Sequence, residues 1–337
     1  GSFGKVYKVK DKNTGIIYAA KISKQTIKND KQSDLNLKRE VNILSKLNHP
    51  AILKFICYSP LNFKNKPKPV IITEYAQNHS LNDLIKLERG SRAHKEWDDT
   101  HKLIILYGIA CAMAFLQSNK IIHRDLKPSN ILMDDHLHPK IADFGLSKVD
   151  HNSQSMTTKS LAGQKGTPIY MAPEIWDDVP QYSEASDVYA YGMIMYEVIT
   201  GAQPFSGSTD IDLPQKIKQG IRPSFDDDIL EPYQYLIESC WDEDPEKRPK
   251  FADIVDQLKN DPGFRDYDTF DEDEFLKYVD FIDECEATFD KDPNKDISQF
   301  IASKGDSFKV ISVDIPVESK PVNTNKFLCP DEYLQQL

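Results

Sequence analysis

The sequence has few cysteines, and their spacing does not suggest a structural role. Cys57, Cys111, Cys240, Cys285 and Cys329 are scattered, odd in number and never arranged as CxxC. This pattern fits neither a disulfide framework nor a zinc site. We therefore expect free thiols and a reducing compartment, the cytoplasm.

The sequence also lacks a long hydrophobic run and an excess of basic charge. Its longest apolar stretch, residues 103–116, is shorter than the about 20 residues that span a bilayer, so it predicts a buried core helix and no membrane insertion. The formal net charge of −11 argues against binding to nucleic acid or to an anionic membrane. Much of the acidic excess lies in residues 261–296, so the negative charge belongs mainly to a tail and not to the rest of the chain.

The pattern of the chain changes near residues 76–80. Before that point β-rich runs dominate, with one helix indicated by the spacing of its apolar residues Leu37, Val41, Leu44 and Leu47. After it, helical patterns dominate. We therefore predict an α+β fold with two lobes, a small antiparallel β lobe with one main helix and a larger, mostly helical lobe, with a ligand cleft between them.

These patterns divide the chain into four segments. Residues 1–76 form the small lobe and residues 77–260 the large lobe. Residues 261–297 form the acidic tail, where Thr269 and Glu272 have capping-box spacing ahead of an amphipathic helix. We expect this helix to dock on the large lobe or on a partner protein. Residues 298–337 have a weak pattern and are expected to be poorly ordered. The apolar stripe of the tail helix consists of Phe275, Tyr278, Val279 and Ile282.

Three motifs occur in a fixed order: HRDLKPSN at residues 123–130, DFG at residues 143–145 and MAPE at residues 171–174. Each alone could arise by chance. Together, with a lysine in a strand and a glutamate in a helix upstream, they resemble the catalytic domain of the protein kinase family over roughly residues 1–260.

The resemblance implies transfer of a phosphoryl group from ATP, bound with Mg²⁺, to hydroxyl groups of protein substrates. Asp125 would accept the proton of the substrate hydroxyl, and Lys127 would neutralise the γ-phosphate. Asn130 and Asp143 have the oxygen ligands that Mg²⁺ prefers. Lys21 would hold the α- and β-phosphates.

The resemblance also implies further contacts with the nucleotide. Glu40 would pair with Lys21, and the glycine-rich loop would cover the phosphates. Adenine would lie against side chains of both lobes and pair with backbone groups of the hinge. The candidates are Gly1, Ser2, Phe3 and Gly4 in the loop, Val6, Ala19 and Leu132 around adenine, and Thr73, Glu74 and Ala76 in the hinge.

Other matches concern regulation and support. Arg124 would bind a phosphate on the activation segment, for which the candidates are Thr157, Thr158, Ser160 and Thr167. The resemblance implies that Asp187 anchors the catalytic loop and that Glu174 and Arg248 form a buried pair. It also implies an internal spine, formed by His123, Phe144, Leu44 and Phe55.

Two features separate serine/threonine from tyrosine specificity. Lys127-Pro128 and Gly166-Thr167-Pro168 resemble serine/threonine kinases. Residues 187–189, 240–242 and 245–249 resemble the tyrosine-kinase-like branch. We therefore predict a serine/threonine kinase of that branch, and dual specificity stays open.

Two alternatives also stay open. The family's first strand and first glycine would precede Gly1, so the chain could be a truncated or pseudokinase-like module that binds nucleotide and docks partners. Against this, Lys21, Glu40, Asp125, Asn130 and Asp143 are all present. In the second alternative, the acidic tail helix acts as a scaffold.

Overall fold

The computed structural model describes residues 4–23, 41, 43–59, 61–64, 66–149, 167–209, 211–225, 229–289 and 308–312. The chain divides into two compact units. The sheet unit contains residues 1–77 and 287–337, and the helical unit contains residues 78–286. A β-rich unit and a mostly helical unit are what the predicted α+β fold requires.

The sheet unit is built on five strands in the order β3-β4-β2-β1-β9. Their bounds are Gly4–Asp11 (β1), Ile17–Ser23 (β2), Phe55–Ser59 (β3), Val70–Glu74 (β4) and Phe308–Ser312 (β9). All neighbouring pairs are antiparallel. Along β2, Tyr18 and Ala20 are buried, whereas Ala19 and Lys21 on the opposite face are partly exposed, as the alternation of a strand requires.

The strand β9 differs from our expectation for the C-terminal segment. We expected residues 298–337 to be poorly ordered, yet Phe308–Ser312 pairs with β1, with Val310 opposite Val9. Without β9, the outer edge of β1 would present unpaired backbone groups. Strand addition to such an edge depends on backbone hydrogen bonds, so the side-chain pattern of residues 308–312 did not indicate it.

The helical unit contains seven α-helices in the part of the chain that the structure describes. They are Leu81–Arg89 (α1), Asp99–Ser118 (α2), Glu184–Thr200 (α3), Leu213–Lys218 (α4), Glu231–Cys240 (α5), Phe251–Asn260 (α6) and Glu272–Phe289 (α7). Two short antiparallel strand pairs frame the motifs. They are Ile121–Ile122 (β5) with Lys148–Val149 (β8), and Ile131–Met133 (β6) with Pro139–Ile141 (β7).

The centre of this unit is α2, the helix predicted from the apolar run. By length and composition alone α2 could cross a membrane, but 78% of its apolar stretch is buried inside the protein. Leu103, Leu106, Ile109 and Met113 are fully buried. This is the pattern of a core helix, and one such helix is weak evidence for a membrane span.

The tail helix α7 begins later than the sequence pattern suggested. We expected Thr269 to cap it, but the helix starts at Glu272 and the carboxylate of Asp271 accepts from the backbone N–H of Glu274 at 3.0 Å. A tertiary contact selects this start, because the N–H of Asp271 donates to Thr100 Oγ1 of α2 at 2.9 Å. The stripe residues Phe275, Tyr278, Val279 and Ile282 are all buried.

Candidate active site

The catalytic loop, residues 123–130, is fixed to the core by one carboxylate. Asp187, in the first turn of α3, accepts backbone hydrogen bonds from His123 at 2.7 Å and from Arg124 at 2.9 Å. Burial raises the pKa of Asp187, and its contacts with His123 and Arg124 act in the opposite direction. Arg124 has a positive φ of 68°, so these bonds also hold an uncommon backbone conformation in place.

His123 joins the catalytic loop to the DFG motif. Its Nε2 lies 3.2 Å from the carbonyl oxygen of Ala142, and its Nδ1 accepts from the N–H of Asp125 at 3.3 Å. A neutral imidazole with its proton on Nε2 satisfies both bonds. The ring also packs edge to face on Phe144, with centroids 5.1 Å apart. His123 therefore links the position of Asp125 to that of Ala142 and Phe144.

Asp125 is the single carboxylate of the catalytic loop, and two side chains of the same loop hold it. It is 9% exposed, and Lys127 Nζ donates to both of its oxygens, at 2.9 and 2.8 Å. Asn130 Nδ2 donates to its Oδ2 at 3.0 Å and to its backbone oxygen at 2.7 Å. The lysine and the amide thus fix the orientation of the carboxylate.

Asn130 and Asp143 fit the requirements of a Mg²⁺ site. Because Asn130 Nδ2 makes both bonds to Asp125, the amide oxygen is the atom that remains for a metal. Asp143 stands next to Ala142, whose N–H donates to the carbonyl oxygen of Asn130 at 2.8 Å. Among the described residues no group of three or more His, Cys, Asp or Glu side chains could hold a metal. Two oxygen ligands suit Mg²⁺, which takes its remaining ligands from water and phosphates.

A recess lies beside the catalytic loop. Arg124 and Asp125 line it together with Thr167 and Tyr170 of the segment that leads into MAPE. Across the recess, the guanidinium carbon of Arg124 lies 5.0 Å from the centre of the Tyr182 ring, within the range of a cation–π contact. The structure thus brings together Arg124 and Thr167, two of the predicted regulatory residues.

The segment after the recess is fastened by a buried ion pair. Arg248 donates to both carboxylate oxygens of Glu174, at 2.8 and 2.9 Å, and its side chain is 0% exposed. It also donates to the backbone oxygens of Asp242 and Ala185. This is the pair that the resemblance implied.

A second support was not identified from the sequence. The hydroxyl of Tyr170 donates to Glu197 at 2.6 Å, and Glu197 is also paired with Arg89 at 2.8 Å. Burial and the Glu197 carboxylate raise the pKa of Tyr170 well above its ordinary value, so the phenol keeps its proton. The three residues are up to 108 positions apart, and no local motif joins them.

The sheet unit holds most of the candidates assigned to the nucleotide. In the strand register Val6 stands opposite Lys21, and Ala19 stands opposite Thr73. The N–H of Glu74 donates to the carbonyl oxygen of Lys54 at 2.9 Å. Of the Glu74 backbone groups, the carbonyl is therefore the one suited to pair with adenine, and Thr73 Oγ1 already donates to it at 3.1 Å.

The remaining candidates are distributed as follows. Gly4 is the first residue of β1, Ala76 follows β4, and Leu132 lies in β6 of the helical unit. Leu44 and Phe55 belong to the sheet unit, whereas His123 and Phe144 form their ring contact in the helical unit. Several candidates lie outside the described residues, namely Gly1, Ser2, Phe3, Glu40, Thr157, Thr158 and Ser160.

Comparison with known families agrees with this geometry. The model of the protein kinase domain matches residues 1–258. The chain belongs to the protein kinase domain family. This confirms the family and the fold class predicted from the motifs, and a family of this kind uses ATP. The tyrosine-kinase-like branch stays a prediction.

Three relatives show the range of names among similar kinases. Serine/threonine-protein kinase/receptor R818 of Acanthamoeba polyphaga mimivirus is 36% identical over 259 residues, which are 76% of this chain and 14% of the relative. Dual specificity protein kinase shkD of Dictyostelium discoideum is 33% identical over 261 residues, 77% of this chain and 33% of the relative. Serine/threonine-protein kinase VIK of Arabidopsis thaliana is 34% identical over 267 residues, which are 77% of this chain and 57% of the relative. This kinase domain therefore spans only part of each relative.

Proposed function

We propose that the chain is the catalytic domain of a serine/threonine kinase that transfers the γ-phosphoryl group of ATP to hydroxyl groups of protein substrates. The observation that carries this proposal is the environment of Asp125. A nearly buried carboxylate, held by Lys127 and Asn130 on a loop anchored by Asp187, is oriented to accept a proton. A positioned base of this kind contributes about 10²–10⁴-fold to a rate.

In the proposed reaction, the hydroxyl oxygen of the substrate forms a bond to the γ-phosphorus while the bond from that phosphorus to ADP breaks. The hydroxyl proton goes to the carboxylate of Asp125. Lys127, which contacts that carboxylate, would supply a positive charge to the phosphoryl group during transfer. Mg²⁺ would neutralise phosphate charge, and Asn130 and Asp143 are the residues that would hold it. In the sheet unit, Lys21, Thr73, Glu74 and Ala76 would contact ATP.

The regulatory part of the proposal concerns Arg124. Arg124 lines the recess that Thr167 also lines. A phosphate on the activation segment would form charge-assisted hydrogen bonds with its guanidinium group and order the segment. The names of two of the relatives support serine/threonine specificity, and the name of the shkD relative keeps dual specificity as the alternative.

The experiment is transfer of labelled γ-phosphate from Mg-ATP to a generic protein substrate, with this chain beside its Asp125→Asn variant. The labelled amino acid is then identified. We expect label on serine or threonine, reduced about 10²–10⁴-fold in Asp125→Asn. Label chiefly on tyrosine would overturn the specificity. Nucleotide binding without transfer in either protein would favour the docking-module alternative.

A further inference from the structure

The two candidate metal ligands stand at the open end of one hairpin. Asn130 immediately precedes β6, and Asp143 follows β7 by two residues. Ile131 pairs with Ile141, and the bond from the Ala142 N–H to the Asn130 oxygen extends the ladder by one more step. The distance between Asn130 and Asp143 is therefore set by the geometry of this hairpin.

The closed end of the hairpin is a tight turn, residues 134–138. Asp134 Oδ1 accepts from the N–H groups of His136 at 3.0 Å and His138 at 2.9 Å, and the N–H of Asp134 donates to the oxygen of His138 at 3.1 Å. Leu137 is fully buried with a positive φ of 57°. These hydrogen bonds fix the shape of the turn, so contacts from outside can hold the turn in position as one unit.

The tail helix α7 supplies those contacts. The ring of Tyr278 lies 4.4 Å from the imidazole of His138, centre to centre, and the ring of Phe281 lies 6.4 Å from it. Tyr278 Oη also reaches Gly108 of α2, at the point where the Pro139 ring approaches the same glycine. Tyr278 thus touches α2 and the closed end of the hairpin at once.

Several other contacts fix α7 to the rest of the helical unit. Phe275 packs edge to face on Tyr107 of α2, with centroids 5.7 Å apart. Asp283 pairs with Lys259 of α6 at 2.7 Å, and Glu272 pairs with Arg265. The helix is therefore held on α2 and α6 independently of the hairpin, so it can act as a rigid support.

We propose that α7 positions the metal ligands: through Tyr278 and His138 it holds the closed end of the β6–β7 hairpin, and thereby the spacing of Asn130 and Asp143 at the open end. This inference rests on the proposed function, which assigns these two residues to Mg²⁺. The helix begins after residue 258, where the match to the family model ends, so this support lies outside the matched region.

The test uses the full chain and two readouts. The first is Mn²⁺ binding in the presence of ADP, measured by electron paramagnetic resonance. The second is the Mg²⁺ concentration that gives half-maximal phosphoryl transfer. Tyr278→Ala removes the support from the side of α7, and His138→Ala removes it from the side of the hairpin. In both we expect Mn²⁺ affinity to fall about tenfold, the lower end of what lost outer-shell partners cost. We expect Tyr278→Phe, which keeps the ring against His138, to bind Mn²⁺ nearly as tightly as the unchanged chain.

Phe275→Ala is the matched control, because it removes a buried ring of α7 whose aromatic partners are Tyr107 and Phe270. We expect it to lower the thermal midpoint without weakening Mn²⁺ binding. Equal loss of Mn²⁺ affinity in Phe275→Ala and Tyr278→Ala would overturn the inference, because the effect would then come from general loosening. Unchanged binding in His138→Ala would also overturn it. If the unchanged chain neither binds Mn²⁺ with ADP nor transfers phosphate, the proposed function fails first, and the inference fails with it.

Discussion

Gly108 and Tyr278 occupy complementary positions: a Cβ atom on Gly108 would collide with the hydroxyl oxygen of Tyr278. The same Cβ would lie 2.7 Å from Cγ of Pro139. Packing therefore explains why a glycine stands in the middle of α2. Its missing side chain is the space into which the tail helix inserts a phenol, beside the β6–β7 hairpin.

Gly108→Ala should destabilise the helical unit. Alanine inside a helix is ordinarily about 1 kcal/mol better than glycine, but here the added methyl meets two neighbours, and overpacking costs about 1–3 kcal/mol. We expect a lower free energy of unfolding in urea, followed by tryptophan fluorescence. Trp97, Trp176 and Trp241 all belong to the helical unit, so this signal reports on that unit alone. In the double variant Gly108→Ala/Tyr278→Phe, removal of the hydroxyl should recover part of the lost free energy of unfolding. If the losses of the two single variants simply added, that result would contradict the contact.

Breaking the Glu174–Arg248 pair should be costly. Glu174→Ala leaves a guanidinium whose side chain is 0% exposed, and an uncompensated buried charge costs about 3–5 kcal/mol. The control is Asp177→Ala, which breaks a pair with Lys218 in which both side chains are about half exposed. Exposed pairs contribute about 0–1 kcal/mol. The same urea titration compares the two variants. Equal losses of unfolding free energy would show that the buried pair contributes no more to stability than the exposed pair.

Acidification should weaken the helical unit through His138. Burial lowers the pKa of His138 below its ordinary value of 6.5, against the opposing effect of Asp134, and His136, Lys140 and His101 lower it further. The unfolded chain therefore binds this proton more readily than the folded protein. The stability that the neutral ring contributes is present above pH 6.5 and is lost as the pH falls from there towards the folded pKa.

His138→Phe isolates this effect, because it keeps an aromatic ring against Tyr278 but cannot take up a proton. We expect the urea midpoint of the unchanged chain to fall more between pH 7.5 and pH 5.5 than that of His138→Phe. Parallel profiles of the two proteins would show that His138 does not titrate in this range.

Lys127→Ala should affect the chemical step. Lys127 Nζ contacts both oxygens of Asp125, so its loss removes the charge that orients this carboxylate. We expect kcat to fall about 10²–10³-fold, with little change in the KM for ATP, as for other losses of one positioned donor. Lys277→Ala, an exposed lysine of α7, is the control. A higher KM with an unchanged kcat would assign Lys127 to nucleotide binding instead.

The catalytic loop could be predicted from the sequence because its chemistry requires fixed residue types at fixed spacing. Asp125, Lys127 and Asn130 lie within six positions, and the structure joins all three by hydrogen bonds. The two-unit architecture also followed from the change of periodicity. These features are encoded locally, in motifs and in repeating apolar positions.

The supports could not be predicted in the same way. The apolar stripe of α7 indicates that one face is buried, but it does not say against which surface. That surface depends on a glycine in α2 and on a histidine in a turn, neither of which is distinctive in sequence. The cap of α7 was misplaced for a similar reason, since Thr269 and Asp271 are both good capping residues and the bond that the Asp271 N–H donates to Thr100 decides between them. The Tyr170–Glu197–Arg89 network likewise exists only in the folded chain.

The position of α7 beyond residue 258 has a practical consequence for work with this domain. A chain shortened to the family boundary would leave Tyr107, His138 and their neighbours facing water, where the folded protein has Phe275 and Tyr278. Exposed aromatic surface of this kind promotes self-association. Solubility of shortened chains should therefore depend on retaining the residues up to Ile282, the last of the buried stripe, even though no catalytic motif lies there.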